Sequence, residues 1–180
     1  EKLKLKFDLF ILVNPNSPTG LHINKNELEN ILLNSKCCKR IWIDETYIEY
    51  AGKDQTLEKV AEISNNIFVC KSMSKIYALS GLRTAYLCAN PKNIRPLKKI
   101  TPPWVISLPA QIASIYALKD EEYYLRRCKD THALRDNLSS ELKKIGIDEI
   151  VPGIANFLMF HLNRDTHLAS EIVSECKKKK

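Results

Sequence analysis

Phe7-Asp8-Leu9-Phe10-Ile11-Leu12-Val13 is a short apolar run that stops at the turn-forming cluster Asn14-Pro15-Asn16-Ser17-Pro18-Thr19-Gly20. A run of that length, ended by proline, asparagine and glycine, reads as a buried strand entering a functional loop. Downstream, Asn24 and Glu27 have capping-box spacing, and Leu28, Ile31 and Leu32 then share one helical face. Arg40 to Ile43 reads as the next strand, Leu57 to Ile63 as a helix, Ile67 to Cys70 as a third strand and Thr84 to Ala89 as a fourth. Strands alternating with helices imply an α/β fold with a mostly parallel sheet covered on both faces. Ligands of such sheets bind beyond the carboxyl ends of the strands, where Asn14 to Gly20, Asp44 to Tyr47 and Ser72 to Lys75 fall.

The second half differs in texture. Helical patterns cover Ala110 to Leu118 and Glu121 to Ile145, with Leu138, Leu142 and Ile145 on one stripe. Ile147 to Val151 and Phe157 to Leu162 are expected strands of a smaller α+β unit, punctuated by Gly146 and Pro152-Gly153. The expected division is therefore 1–119 for the main domain and 120–180 for a connecting helix and partial small domain.

The chain has 180 residues, 44% hydrophobic and 27% charged, enough to bury a core without disulfides or metals. No apolar run reaches the roughly 18 to 20 residues that cross a bilayer, and Glu1 opens a charged segment unlike a signal peptide. A soluble, cytoplasmic protein without membrane partners is expected. Six cysteines (Cys37, Cys38, Cys70, Cys88, Cys128 and Cys176) form no C-x-x-C pair, and His132, His161 and His167 lack nearby ligand partners, so reduced thiols and no metal are expected. The net charge is +7, but Lys177 to Lys180 supply four of the positive charges and no aromatic-basic interleaving suggests base stacking. Nucleic acid is not an expected partner; a solvated basic surface with a site for an anionic ligand is.

Ser72-Met73-Ser74-Lys75, then Gly81-Leu82-Arg83 eight residues past the lysine, stand after Asp44-Glu45-Thr46-Tyr47 and Asn14 to Gly20. Order and separations resemble the class I/II aminotransferases of the fold-type-I pyridoxal-phosphate enzymes, and among them the histidinol-phosphate aminotransferase-like and threonine-phosphate decarboxylase-like members. The resemblance implies pyridoxal 5'-phosphate as cofactor, with Lys75 as the catalytic lysine that condenses with its aldehyde and later moves a proton at the substrate α-carbon. It places Asp44 beside the ring nitrogen, where a carboxylate keeps the pyridinium protonated, and Tyr47 at the ring hydroxyl oxygen. Arg83, Ser72 and Ser74 become donors to the phosphate. The bland alternatives are a surface lysine, a loop-capping aspartate and a packed tyrosine.

Family members commonly carry asparagine immediately before Pro-Thr-Gly; here Ser17 stands there, and Asn16, Tyr47 or water is left to reach the ring oxygen. By the same resemblance the Ser17-Pro18 bond is expected to be cis. Pro102-Pro103-Trp104 and Ser107 to Leu118 resemble the link to the long interdomain helix, with Trp104 expected to pack, and Asn156-Phe157 resembles the start of the small domain's sheet.

The implied activity is amino transfer from an amino acid or phosphorylated amine to a 2-oxo acid, in a homodimer when full length. The alternatives are a threonine-phosphate decarboxylase-like lyase and an incomplete fragment acting only in binding. The resemblance puts a phosphate loop, a ring-stacking aromatic and a cross-dimer residue upstream of this stretch, and a carboxylate-gripping arginine downstream. It also implies a sheet lacking strands, with exposed edges and apolar faces.

Overall fold

The computed structural model describes residues 6–34, 38–162 and 168–179; Cys37, His167 and Lys180 lie outside them. Strand β1 (Phe7–Val13) pairs in parallel with β2 (Cys38–Asp44), and β2 with β3 (Ile67–Ser72). Strand β4 (Ala85–Cys88) completes the order β1-β2-β3-β4 and runs antiparallel to β3, with Ser72 opposite Ala85. Helix α1 (Lys25–Asn34) connects β1 to β2, and α2 (Glu58–Ile63) lies between β2 and β3. The α/β class and mostly parallel sheet follow the sequence pattern.

Two-residue alternation builds the core. Ile41 and Ile43 of β2 and Ile67 and Val69 of β3 point to one face, where Leu28 and Leu32 of α1, with Leu57, Val60 and Ala61, close over them. Leu28 and Leu32 are the expected inward face of α1, and Asn24 caps that helix by accepting the Glu27 N–H at 2.9 Å. On the other face Trp42 and Phe68 stack at 6.4 Å, while Leu9 and Ile11 are exposed, Ile11 by 61%. An apolar groove of about 520 Å³ runs beside them against Pro96 and Leu97. The expected cover on both faces is thus present on one face among the described residues.

Helix α3 (Pro91–Ile100) was not anticipated by periodicity. Asn90 caps it, accepting from Lys92 N–H, and Pro91 opens it, where a missing N–H costs nothing. It buries no residue fully, although Ile94, Leu97 and Ile100 fall on one stripe at three-residue steps. Helices α4 (Leu108–Lys119) and α5 (Glu121–Lys144) match the expected ones, capped by Ser107 and Asp120. The stripe expected on α5 does not bury: Leu138 and Ile145 face solvent. Nor do Ile147 to Val151 and Phe157 to Leu162 become strands; they meet in one antiparallel bridge, Ile150 with Phe160. Trp104, expected to pack, is 81% exposed. Helix α6 (Ala169–Lys178) ends the described chain. No helix among the described residues is long and apolar enough to cross a membrane.

A second cluster lies under the loops at the strand ends. Tyr47, Tyr50, Met73, Ile76 and Tyr77 pack with Ala117 of α4, Cys128 of α5 and Ala155, so residues on both sides of position 120 share it.

Candidate active site

Because β1, β2 and β3 are parallel neighbours, their carboxyl ends form one rim. Asn14 leaves β1 with its N–H on the Asp44 carbonyl at 2.9 Å, and Glu45 leaves β2 with its N–H on the Cys70 carbonyl at 2.9 Å. The reversed direction of β4 brings Arg83, just before it, to the same rim. There Met73 N–H donates to the Thr84 carbonyl at 3.1 Å. The site candidates, scattered over 68 positions from Asn16 to Arg83, therefore come from adjacent strand ends.

Thr46 links two of them. Its hydroxyl and N–H both donate to Asp44 Oδ1, at 2.6 and 2.9 Å, and its oxygen accepts the Ser72 N–H at 3.2 Å. The hydroxyls of Ser72 and Ser74 lie 2.7 Å apart, with the Ser74 N–H also on Ser72 Oγ at 3.3 Å. Ser74 therefore points toward its neighbour rather than away. Lys75 is exposed; its carbonyl accepts the Ala78 N–H at 3.0 Å, while its side-chain amine makes no hydrogen bond or ion pair among the described residues. Arg83 is also exposed, in a left-handed conformation (φ 52°), with Nη1 donating to the Ser80 carbonyl at 3.2 Å. Tyr47 is buried, and its ring meets Phe157 edge to face at 5.2 Å.

The loop before α1 has two cis peptide bonds: Ser17-Pro18, as expected, and Asn14-Pro15. The Asn14 amide ties the loop down by exchanging hydrogen bonds with the Ile23 backbone, both at 2.9 Å. Asn16 turns its amide onto the Thr19 hydroxyl at 2.8 Å, while Ser17 and Pro18 are exposed. His161 is exposed; His132 lies against Tyr50, its Nε2 buried and unpartnered among the described residues.

Sequence reasoning passed over the polar layer behind this rim. Lys71 is buried with Glu45, Glu49 and Glu58, and Tyr77 and Tyr86 donate to that cluster. Strand phase was the available signal: Glu45 continues Ile41 and Ile43, and Lys71 continues Ile67 and Val69, on the buried face.

The rim's donor set fits an aldehyde-bearing, phosphorylated pyridine. It offers a lysine amine without a partner, a converging hydroxyl pair, an exposed guanidinium and a carboxylate, while Gly81 leaves open space in which a Cβ would meet nothing.

Parallel strands ending in a lysine-bearing turn, with an inverted fourth strand bringing in an arginine, form an α/β sheet that matches the pyridoxal-phosphate transferases in the structures it resembles. Residues 1–178 match the family model for aminotransferase class I and II, a pyridoxal-phosphate-dependent family, and the chain belongs to it. It is 31% identical to histidinol-phosphate aminotransferase of Methanocaldococcus jannaschii, over 97% of this chain and 46% of that protein. The crystal structure of histidinol-phosphate aminotransferase from Clostridium acetobutylicum superposes with a TM-score of 0.82 at 29% identity, over 96% of this chain and 52% of that one. The enzyme of the same name from Sinorhizobium meliloti, in complex with pyridoxal-5'-phosphate, gives 0.76 at 23% identity, over 83% and 41%. The chain spans about half the length of the relatives it matches.

Proposed function

We propose that this chain carries the cofactor-anchoring part of a pyridoxal-phosphate-dependent aminotransferase, histidinol-phosphate aminotransferase-like, which moves an amino group from an amino acid or phosphorylated amine to a 2-oxo acid. The observation that carries the proposal is the meeting at one rim of an unpartnered Lys75, the Ser72–Ser74 hydroxyl pair, Asp44 and Arg83.

Lys75 would hold the cofactor through the aldehyde and its Nζ, and when free its amine would take and return the proton at the substrate α-carbon. Asp44, its orientation fixed by the two Thr46 hydrogen bonds, would hold the ring nitrogen protonated. Arg83 supplies a charged fork to the phosphate, with Ser72 and Ser74 as neutral donors. Tyr47 would serve the ring hydroxyl alone, since Asn16 is turned onto Thr19 and Ser17 is short. When bound, the cofactor supplies the electron sink that makes the α-proton removable.

The division at 119/120, a cytoplasmic location and a homodimer of the whole protein belong to the same proposal. Adding pyridoxal phosphate and following the yellow lysine-bound chromophore, with Lys75→Ala as control, tests it. Colour that survives the substitution contradicts it. Measuring 2-oxo acid against carbon dioxide from amino-phosphate substrates separates amino transfer from decarboxylation.

A further inference from the structure

Lys71 stands at a position that strand alternation reserves for apolar side chains, and it is 4% exposed. Its Nζ lies 2.7 Å from Glu58, 3.4 Å from Glu49 and 3.6 Å from Glu45. Tyr86, its cross-strand partner on β4, presents its ring centroid 5.9 Å from the ammonium and donates its hydroxyl to Glu58 at 2.7 Å. Tyr77 donates to Glu49 at 3.2 Å. Glu45 also accepts from the Thr56 hydroxyl and, at 2.7 Å, from the Leu57 N–H. Burial pulls the lysine pKa down, but Glu49, Glu58 and Glu45 together outweigh it and hold the amine charged.

Several members of this cluster lie next to, or in register with, the proposed cofactor site. Glu45 follows Asp44, Lys71 precedes Ser72, Tyr77 lies two residues past Lys75, and Tyr86 follows Ala85, the register partner of Ser72. The cluster thus ties together from behind the chain segments whose front faces carry the proposed cofactor contacts. Glue alone does not call for ions, because well-packed apolar residues hold strands at least as well as a buried charge cluster. Ion pairs add direction, since each carboxylate fixes the ammonium along a particular line.

We infer that Lys71 is a positioning residue for the cofactor site, its ion pairs to Glu45 and Glu49 holding the ends of β2 and β3 so that Asp44 and Lys75 keep their separation. The inference rests on the cofactor-binding reading of Lys75.

The test is borohydride reduction after exposure to pyridoxal phosphate, with peptide mapping of phosphopyridoxyl label on every lysine and the pH midpoint of the yellow chromophore as a second readout. Far-UV circular dichroism is recorded on each sample. Lys71→Met is expected to lower label at Lys75, relative to the other lysines, about tenfold and to move the pH midpoint; Lys71→Arg, which keeps charge and adds directed donors, restores both to within about threefold. Glu49→Gln, a milder change that leaves two carboxylates on Lys71, gives the same shifts in smaller measure. Wild-type selectivity and midpoint in Lys71→Met and Glu49→Gln overturn the inference while leaving the anchor intact. So does a loss of label that only tracks loss of helix signal. A wild-type chain without preferential label at Lys75 overturns the inference together with the reading beneath it.

Discussion

Gly20 and Gly153 meet backbone to backbone, and Ile154 donates its N–H to the Gly20 carbonyl at 2.9 Å. A Cβ on Gly153 would stand 2.5 Å from the Thr19 carbonyl oxygen and 2.8 Å from Gly20 Cα. This contact seats the segment leading to Phe157, and so the ring against Tyr47, on the loop after β1. Gly153→Ala must push two backbones apart and is expected to cost roughly 1–3 kcal/mol. Gly20→Ala adds the left-handed penalty of its φ of +72°. Denaturant midpoints and proteolysis of the 14–20 loop measure both; an unchanged midpoint in Gly153→Ala contradicts the seam.

Thr46 joins Asp44 to Ser72 through one hydroxyl. Thr46→Val keeps the shape but leaves the Ser72 N–H without its acceptor and removes one donor from Asp44. A loss of about 1–3 kcal/mol in chemical denaturation is expected. Weakened pyridoxal-phosphate binding should accompany it, read by absorbance titration.

The pH dependence at the alkaline end follows from the cluster behind the rim. Burial, then Glu49, raises the Tyr77 phenol; burial, then the Glu58 hydrogen bond, raises that of Tyr86; and the carboxylates raise Lys71. A group whose pKa is higher in the fold than in the unfolded chain contributes stability that is fully present below the unfolded value. That contribution is lost as pH rises toward the folded one. Stability should therefore begin to decline at about pH 9, where the thiols of Cys70, Cys88 and Cys128, also raised by burial, ionise in the unfolded chain, and fall more steeply above about pH 10, from the ordinary tyrosine and lysine values onward. Tyr77→Phe with Tyr86→Phe should flatten the decline in melting temperature. An equally steep fall in the double variant would assign it elsewhere.

Restoring the asparagine that family members commonly carry gives a further check. Ser17 is exposed and its hydroxyl is short, whereas Asn16 is occupied with Thr19. Ser17→Asn should tighten pyridoxal-phosphate binding about fivefold, the worth of one added hydrogen bond of ~1 kcal/mol. Weaker binding in the variant would show that this position does not reach the ring oxygen.

What could be read in the sequence was what local chemistry dictates. Phe7–Val13 is a strand with the bounds of its apolar run, because Asn14-Pro15 ends it. Leu28 and Leu32 bury as their spacing requires. Asp44, Ser72 and Arg83 meet at one rim because the first two end neighbouring parallel strands and the third lies just before the antiparallel one. What escaped was decided by tertiary contact. Lys71 and Glu45 are in phase with the buried strand positions, but charges there are stable only with partners 13 and 26 positions away, at Glu58 and Lys71. Helix α3 carries Pro96, which argues against a helix, although the Asn90-Pro91 start and the spacing of Ile94, Leu97 and Ile100 were there to be read. The strand expected at Phe157 to Leu162 reduces to a single bridge, Phe160 with Ile150, among the described residues.

The central claim is that Lys75 anchors the cofactor, and site mapping tests it most directly. The chain is incubated with pyridoxal phosphate, reduced with borohydride and digested, and the phosphopyridoxyl group is located by mass spectrometry. The account predicts label on the peptide containing Lys75, well above the other exposed lysines and lost in Arg83→Ala, where the phosphate has no fork to hold it. Label spread evenly over the surface lysines, with Lys75 no more reactive than Lys92 or Lys98, would contradict it.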